Sequence, residues 1–193
     1  MKNLIKNKNF LSLVLLLFFL LLLKIDYRFI EQWNCCQDDH DYFMHAETIA
    51  LDFDLDYSNQ LKGNEEKRFN NNGKIAPKAF IGTGLLSAPF LFVGNLFNYF
   101  SSNSLMNFGL LFYSLSSVVY LFLTIIMIYK LLNSVYSNID FKFIFLLIFG
   151  SGVPYFAFER YSMSHVFEIF TITLTIYFSH MFYKSNEKNN FYA

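Results

Sequence analysis

The stretch LMNFGLLFYSLSSVVYLFLTIIMIY, residues 105–129, decides the fold. It carries no charged side chain from end to end and is closed by Lys130. An apolar run of about 20 residues crosses the ~30 Å hydrocarbon core as a helix, so this stretch reads as a membrane span. Residues 166–183 form a second such run, interrupted by Glu168 and His180. Between them, residues 141–158 make a marginal span broken by Gly150, Gly152 and Pro154.

Toward the amino end, residues 10–23 are apolar apart from Ser12 and are preceded by Lys2, Lys6 and Lys8, with Leu4, Ile5 and Ile25 extending the run to 4–25. The continuation Lys24-Ile25-Asp26-Tyr27-Arg28 lacks the small residues of a cleavage site, so this run reads as an uncleaved anchor rather than a removed signal peptide. The three lysines place its amino end in the cytoplasm. Residues 26–79 then turn polar and acidic and read as a long extracytoplasmic loop. Asn70-Asn71-Asn72-Gly73 forms a loop tip within it.

Residues 80–100 are apolar but hold Gly82, Gly84, Pro89, Gly94, Asn95 and Asn98. If this segment spans, Lys130, Lys142, Lys184 and Lys188 fall outside. If it lies in the interface or re-enters, they join Lys2, Lys6 and Lys8 inside, and Arg160 alone stays in a short outer loop. The second arrangement obeys the positive-inside rule, and Gly and Pro suit an interfacial or re-entrant segment. The expected fold is therefore all-α: a polytopic bundle of about four spans plus an interfacial or re-entrant helix.

Composition agrees. The 193 residues are 54% apolar and only 16% charged, against about 25% charged in soluble chains. Fifteen basic residues balance 15 acidic ones, which excludes a polycationic nucleic-acid surface. Cys35 and Cys36 are adjacent and give neither a disulfide framework nor zinc spacing. The 21% aromatic content follows the Phe-, Asn-, Lys- and Ile-rich bias of an AT-rich genome and is no binding signal. The chain reads as an integral protein of the bacterial inner membrane.

Three polar clusters fall on the outer face of this topology. The first is Asp38-Asp39-His40-Asp41-Tyr42, ahead of Phe43, Ala46, Ile49, Ala50 and Phe53 at helical spacing. A short amphipathic helix lying on the membrane is expected, with Asp38 and Asp39 at its start, where carboxylates are favoured. Three acids within four residues exceed what capping needs and suit a general base or a cation site. Asp52, Asp54 and Asp56 alternate with apolar residues and read as a solvated loop, Asp54 and Asp56 being kept as ligand candidates.

The second cluster, residues 78–90, sets Lys78 before Gly82-Thr83-Gly84 without the order of a Walker motif. The third, Glu159-Arg160-Tyr161-Ser162-Met163-Ser164-His165, precedes Glu168. His165 and Glu168 share a helix face, and an ionisable group in a span marks a site or pathway. The plain alternative is an interfacial loop in which Glu159 pairs with Arg160. His45 and His180 read as ordinary interface residues.

These clusters resemble the GT-C superfamily, the polytopic glycosyltransferases that use polyprenyl-phosphate sugars, such as protein mannosyltransferases and the aminoarabinose transferase of lipid A. The likeness rests on Asp38-Asp39-His40-Asp41-Tyr42 after an anchor helix, on residues 78–90, similar to an interfacial helix, and on Ser162-Met163-Ser164-His165. Two features depart from the pattern: the second acidic residue is Asp39 rather than Glu, and the Pro-Pro of the interfacial helix is absent.

The resemblance implies Asp38 as the base, with Asp39 and Asp41 orienting acceptor or cation and Tyr42 as a hydrogen-bonding wall. Lys78 and Arg160 would meet the donor phosphate, and His165 phosphate or acceptor. A divalent cation is allowed but not required, with Asp39 and Asp41 its ligands if one binds. The implied partners are a lipid-linked sugar and membrane lipids. Because such enzymes have about seven or more spans, the chain reads as the N-terminal portion of one, inactive until further C-terminal spans or a second chain complete the pocket. The alternative is a non-enzymatic polytopic protein serving transport or assembly, in which the acidic loop binds a partner.

Overall fold

The computed structural model describes residues 37–61, 69–71, 74–101, 107–136 and 139–190. The anchor at 4–25, Cys35 and Cys36 lie outside the described residues. Three helices are long and apolar enough to cross a membrane, and the chain is an integral membrane protein by that measure of length and composition.

Helix α1, Gln37–Glu47, opens with Asp38 and Asp39 in its first turn and runs into a π-helical turn, Thr48–Asp52. Phe53 stops it in the left-handed conformation, at φ 59° and ψ 31°, a region that costs an L residue about 1–2 kcal/mol. The expected periodicity is present, but its apolar face packs against protein rather than lying on a membrane. Ala46 and Ala50 are buried with Ala88 and Leu91, and Phe43 meets Tyr113 edge-on at 5.0 Å. The segment expected as a long loop, 26–79, thus holds this helix and π-helical turn in its described part. It also holds a small antiparallel hairpin, β1 Phe69–Asn71 with β2 Lys74–Ala76, in which Asn70 pairs with Ile75.

Helix α2, Ile81–Phe100, is continuous across its 20 residues despite Pro89. It meets the length and composition of a span, and no break of the kind a re-entrant segment needs is present. Of the residues that suggested an interface, Gly84 and Gly94 serve packing, whereas Gly82 and Pro89 are exposed. Gly84, Ser87, Ala88 and Gly94 are buried, and a Cβ at Gly94 would approach Gly109 Cα to 2.8 Å. Small residues of this kind let membrane helices approach closely. Asn98 Oδ1 accepts the Phe108 N–H at 2.8 Å and joins the end of α2 to the next helix.

Helix α3, Phe108–Val135, begins at Asn107, whose side chain accepts the Leu110 N–H. Its 28 residues correspond to about 42 Å. Its buried face carries Ser114, Ser116, Ser117 and Thr124 among Leu111, Val118, Leu121 and Ile125. Each of these hydroxyls donates to a carbonyl one turn back, and Ser117 also reaches Ala157 O at 2.7 Å. Polar side chains are thereby satisfied where lipid could not satisfy them.

Residues 141–158 do not form one spanning helix. They split into α4, Phe141–Phe149, and α5, Val153–Phe158, at Gly150-Ser151-Gly152, with Pro154 in the first turn of α5. Helix α6, His165–Asn190, is apolar over 165–185.

Contacts fix the directions. Gly94 lies by Phe108, and Tyr120 Oη donates to Leu86 O, so α2 and α3 are antiparallel. Tyr129 meets Phe141, and Ser117 meets Ala157, so the α4–α5 pair returns along α3. Tyr120 meets Phe167, and Lys184 reaches Ser134 O, so α6 runs parallel to α3. Lys130, Lys142 and Lys184 consequently gather at one end of this bundle, and Arg160 lies at the other. Leu121, Ile125, Ile144, Ile148, Ala157 and Val166 form the core between α3, the α4–α5 pair and α6.

Candidate functional site

The first turn of α1 is held by the turn between α5 and α6. Asp39 is buried, and its Oδ2 lies 3.1 Å from Arg160 Nε. The plain alternative, a Glu159–Arg160 pair, is not what carries the Arg160 Nε contact. Beside this ion pair Ser162 Oγ donates to the Asp39 carbonyl at 2.8 Å. Tyr113 Oη sits 2.6 Å from Ser162 Oγ. Since the Ser162 proton goes to a carbonyl, which only accepts, the tyrosine O–H donates to the serine. Tyr113 and Ser162 are both buried, and Tyr113 lies edge-on to Tyr161.

Asp39 Oδ1 is buried and has no hydrogen-bond partner among the described residues. Leaving a buried acceptor unmade costs about 1–3 kcal/mol, so this oxygen stands ready for a donor. Asp38, one residue earlier, is exposed. Two neighbouring carboxylates thus occupy different environments, one beside a guanidinium in the protein and one facing outward.

Asp41 is buried on another side of the helix and accepts the Lys78 N–H at 3.2 Å. Residues i and i+2 do not face each other on a helix, and here Asp39 meets Arg160 while Asp41 meets the segment ahead of α2. The two acids therefore do not converge on one ion, and among the described residues no three His, Cys, Asp or Glu gather as a metal site. A cation held by Asp39 and Asp41 does not fit this arrangement.

Lys78 contributes its backbone to Asp41, while the residue itself is exposed. Tyr42 is half-buried. His165 is exposed and stacks on Phe156, with ring centroids 3.9 Å apart. Glu168 is exposed on the first turn of α6. The acids at Asp52, Asp54 and Asp56 close local turns. Asp54 Oδ1 takes the Thr48 hydroxyl and the Asp56 N–H, Asp56 Oδ1 takes the Ser58 N–H, and Asp52 Oδ2 takes the Asn59 amide. That is the solvated-loop role.

His45 is not an interface residue. It is buried, Nε2 donates to Ala79 O at 2.8 Å, and Nδ1 lies 2.7 Å from Tyr57 Oη. A carbonyl can only accept, so Nε2 carries the proton and Nδ1 accepts from the Tyr57 hydroxyl. Burial holds the imidazole below its ordinary pKa, opposed by the Ala79 hydrogen bond and by the charge of Asp41. The neutral ring ties α1 to the 54–61 loop and to the segment entering α2.

Sequence reasoning did not single out Tyr113 or assign Ser162 and His45 a role at this junction. Ser162 lay inside the 159–165 cluster, whereas Tyr113 is one aromatic among many in a span. No family model matches the chain, and neither a curated protein nor a solved structure matches it.

Proposed function

We propose that the chain works in an integral-membrane glycosyltransferase, moving a sugar from a polyprenyl-phosphate donor to an acceptor hydroxyl. The observation that supports this reading is the division of labour in Asp38-Asp39: an exposed carboxylate next to a buried one paired with Arg160. Acid–base sites commonly contain paired carboxylates set apart by environment. Asp38 takes the acceptor proton as the acceptor oxygen bonds to the anomeric carbon. The bond from that carbon to the phosphate oxygen breaks, and polyprenyl phosphate leaves. Asp39 and Arg160 hold the turn of helix that presents Asp38, and Asp39 Oδ1 takes a hydrogen bond from the acceptor.

In this reading the end of the bundle with Arg160 faces outward from a bacterial inner membrane. Lys130, Lys142 and Lys184 face the cytoplasm with the amino terminus, as the excess of lysine at that end favours. Helix α2 then begins and ends on the outer side, as a segment of the outer interface packed against α3.

The test is sugar transfer in membranes of the source cells, with Asp38→Asn placed in the chromosome and a panel of polyprenyl-phosphate sugars supplied. Loss of a general base lowers the rate about 10²–10⁴-fold. A parental rate in Asp38→Asn removes the base assignment. Identical transfer with the gene deleted removes the enzyme reading and leaves the non-catalytic membrane protein.

A further inference from the structure

A second polar feature lies at the opposite end of the bundle from Asp39 and owes nothing to the catalytic reading. Between the carboxyl-terminal halves of α3 and α6 runs a groove of about 700 Å³, lined by Tyr129, Lys130, Ser134, Tyr177, Met181 and Lys184. Lys184 Nζ donates to Ser134 O at 3.3 Å, which sets its charge over the groove. An ammonium carries three donors, so two remain. Neither lysine amine meets a carboxylate among the described side chains, and no acid is among the described residues lining the groove.

Helix-end electrostatics do not explain these lysines. The dipole favours cations within the last turn, but α3 continues to Val135 and α6 to Asn190, beyond Lys130 and Lys184. What distinguishes them is depth. Beyond Tyr183 the sequence of α6 turns polar, Lys184-Ser185-Asn186-Glu187-Lys188, and α3 ends at Val135, so both lysines sit where hydrocarbon gives way to headgroups. Tyr129 and Tyr177 offer the amphipathic rings typical of that level. Toward the bilayer centre the neighbouring surface is apolar, with Ile176 and Phe178 exposed.

We infer that this groove binds an anionic phospholipid, the headgroup phosphate between Lys130 and Lys184 and the acyl chains along α3 and α6. Basic pockets between membrane helices recognise such headgroups. A free phosphate would satisfy the charges but leave the apolar wall and most of the groove unused.

The experiment reconstitutes the full chain in nanodiscs of phosphatidylcholine with or without phosphatidylglycerol and counts retained lipid by native mass spectrometry. The wild type is expected to retain phosphatidylglycerol in preference to phosphatidylcholine. Each lysine is worth about fivefold at the membrane surface, so K130Q/K184Q should lose about thirty-fold in that preference, while K130R/K184R keeps it. Both lysines are exposed, and circular dichroism checks the fold; should the double variant unfold, the single variants are read in its place. Equal retention of the two lipids by the wild type, or undiminished preference in K130Q/K184Q, overturns the inference. Displacement of the lipid by millimolar inorganic phosphate would assign the groove to a soluble anion and overturn it equally.

Discussion

Gly84 sits directly under His45: a Cβ built on it would lie 2.8 Å from the His45 carbonyl carbon and 2.9 Å from Ala46 N. The obstacle is backbone, which cannot swing aside as a side-chain tip can. Gly84→Ala should therefore push α1 off α2 and destabilise by about 1–3 kcal/mol, the range for overpacking. Gly82→Ala is the control, since nothing lies within 4 Å of its Cβ and alanine is the better helix former. Thermal midpoints in detergent check both; equal midpoints for the two variants would contradict the close approach.

The Asp39–Arg160 pair yields a second expectation. Removing one partner of a buried pair strands the other, at a cost of about 3–5 kcal/mol. Arg160 is 22% exposed, so the lower end applies. Asp39→Asn and Arg160→Gln should each lower the unfolding midpoint, and together they should cost less than their sum. Asp38→Asn, on the exposed neighbour, should leave it nearly unchanged.

His45 gives the fold a pH dependence of definite sign. Its folded pKa lies below the ordinary 6.5 because of burial, so the unfolded chain takes up the proton first. The contribution to stability is full above about pH 6.5 and is lost as pH falls through the folded pKa, with a slope of at most about 1.4 kcal/mol per pH unit for one proton. Glu47 acts in the opposite sense, since burial and then Asp52 raise its pKa. The informative quantity is thus the difference between wild type and His45→Gln at each pH. That difference should shrink on acidification below pH 6.5; a constant difference would show that the ring titrates alike in the folded and unfolded chains.

Because α6 runs parallel to α3, the loop after α3 and the turn before α6 lie at opposite ends of the bundle. With Cys35 and Cys36 replaced by serine, a cysteine at Ser164 should react with an impermeant maleimide applied to intact cells. One at Asn133 or Asp140 should stay protected until the membrane is opened. The reverse pattern would invert the proposed orientation.

The long apolar helices were readable because a bilayer demands an unbroken apolar run. Residues 105–129 fall within or beside Phe108–Val135, and 166–183 within His165–Asn190. The segment at 80–100 was harder, since Gly84, Gly94 and Asn98 interrupt hydropathy for reasons that exist only in three dimensions: a helix passing close by, or a turn being fastened. The acidic cluster shows the same limit. Asp38 and Asp39 are equivalent as letters, but adjacent residues on a helix point about 100° apart, and only the position of Arg160 decides which is buried. In the sequence, Asn72-Gly73 between the paired residues Asn71 and Lys74 is a hairpin signal that a loop reading passes over.

The partner of Asp39 lies 121 residues further along the chain. At about 5–20 residues per second, a ribosome needs roughly 6–24 s to reach it. Throughout that interval the carboxylate destined for the interior has no guanidinium to meet, and the serine that will anchor its carbonyl has not been made. Helix α1 can form early, but its docking must wait for α3, α5 and the turn before α6. The acidic first turn of α1 is therefore translated well before the residues that lock it in place.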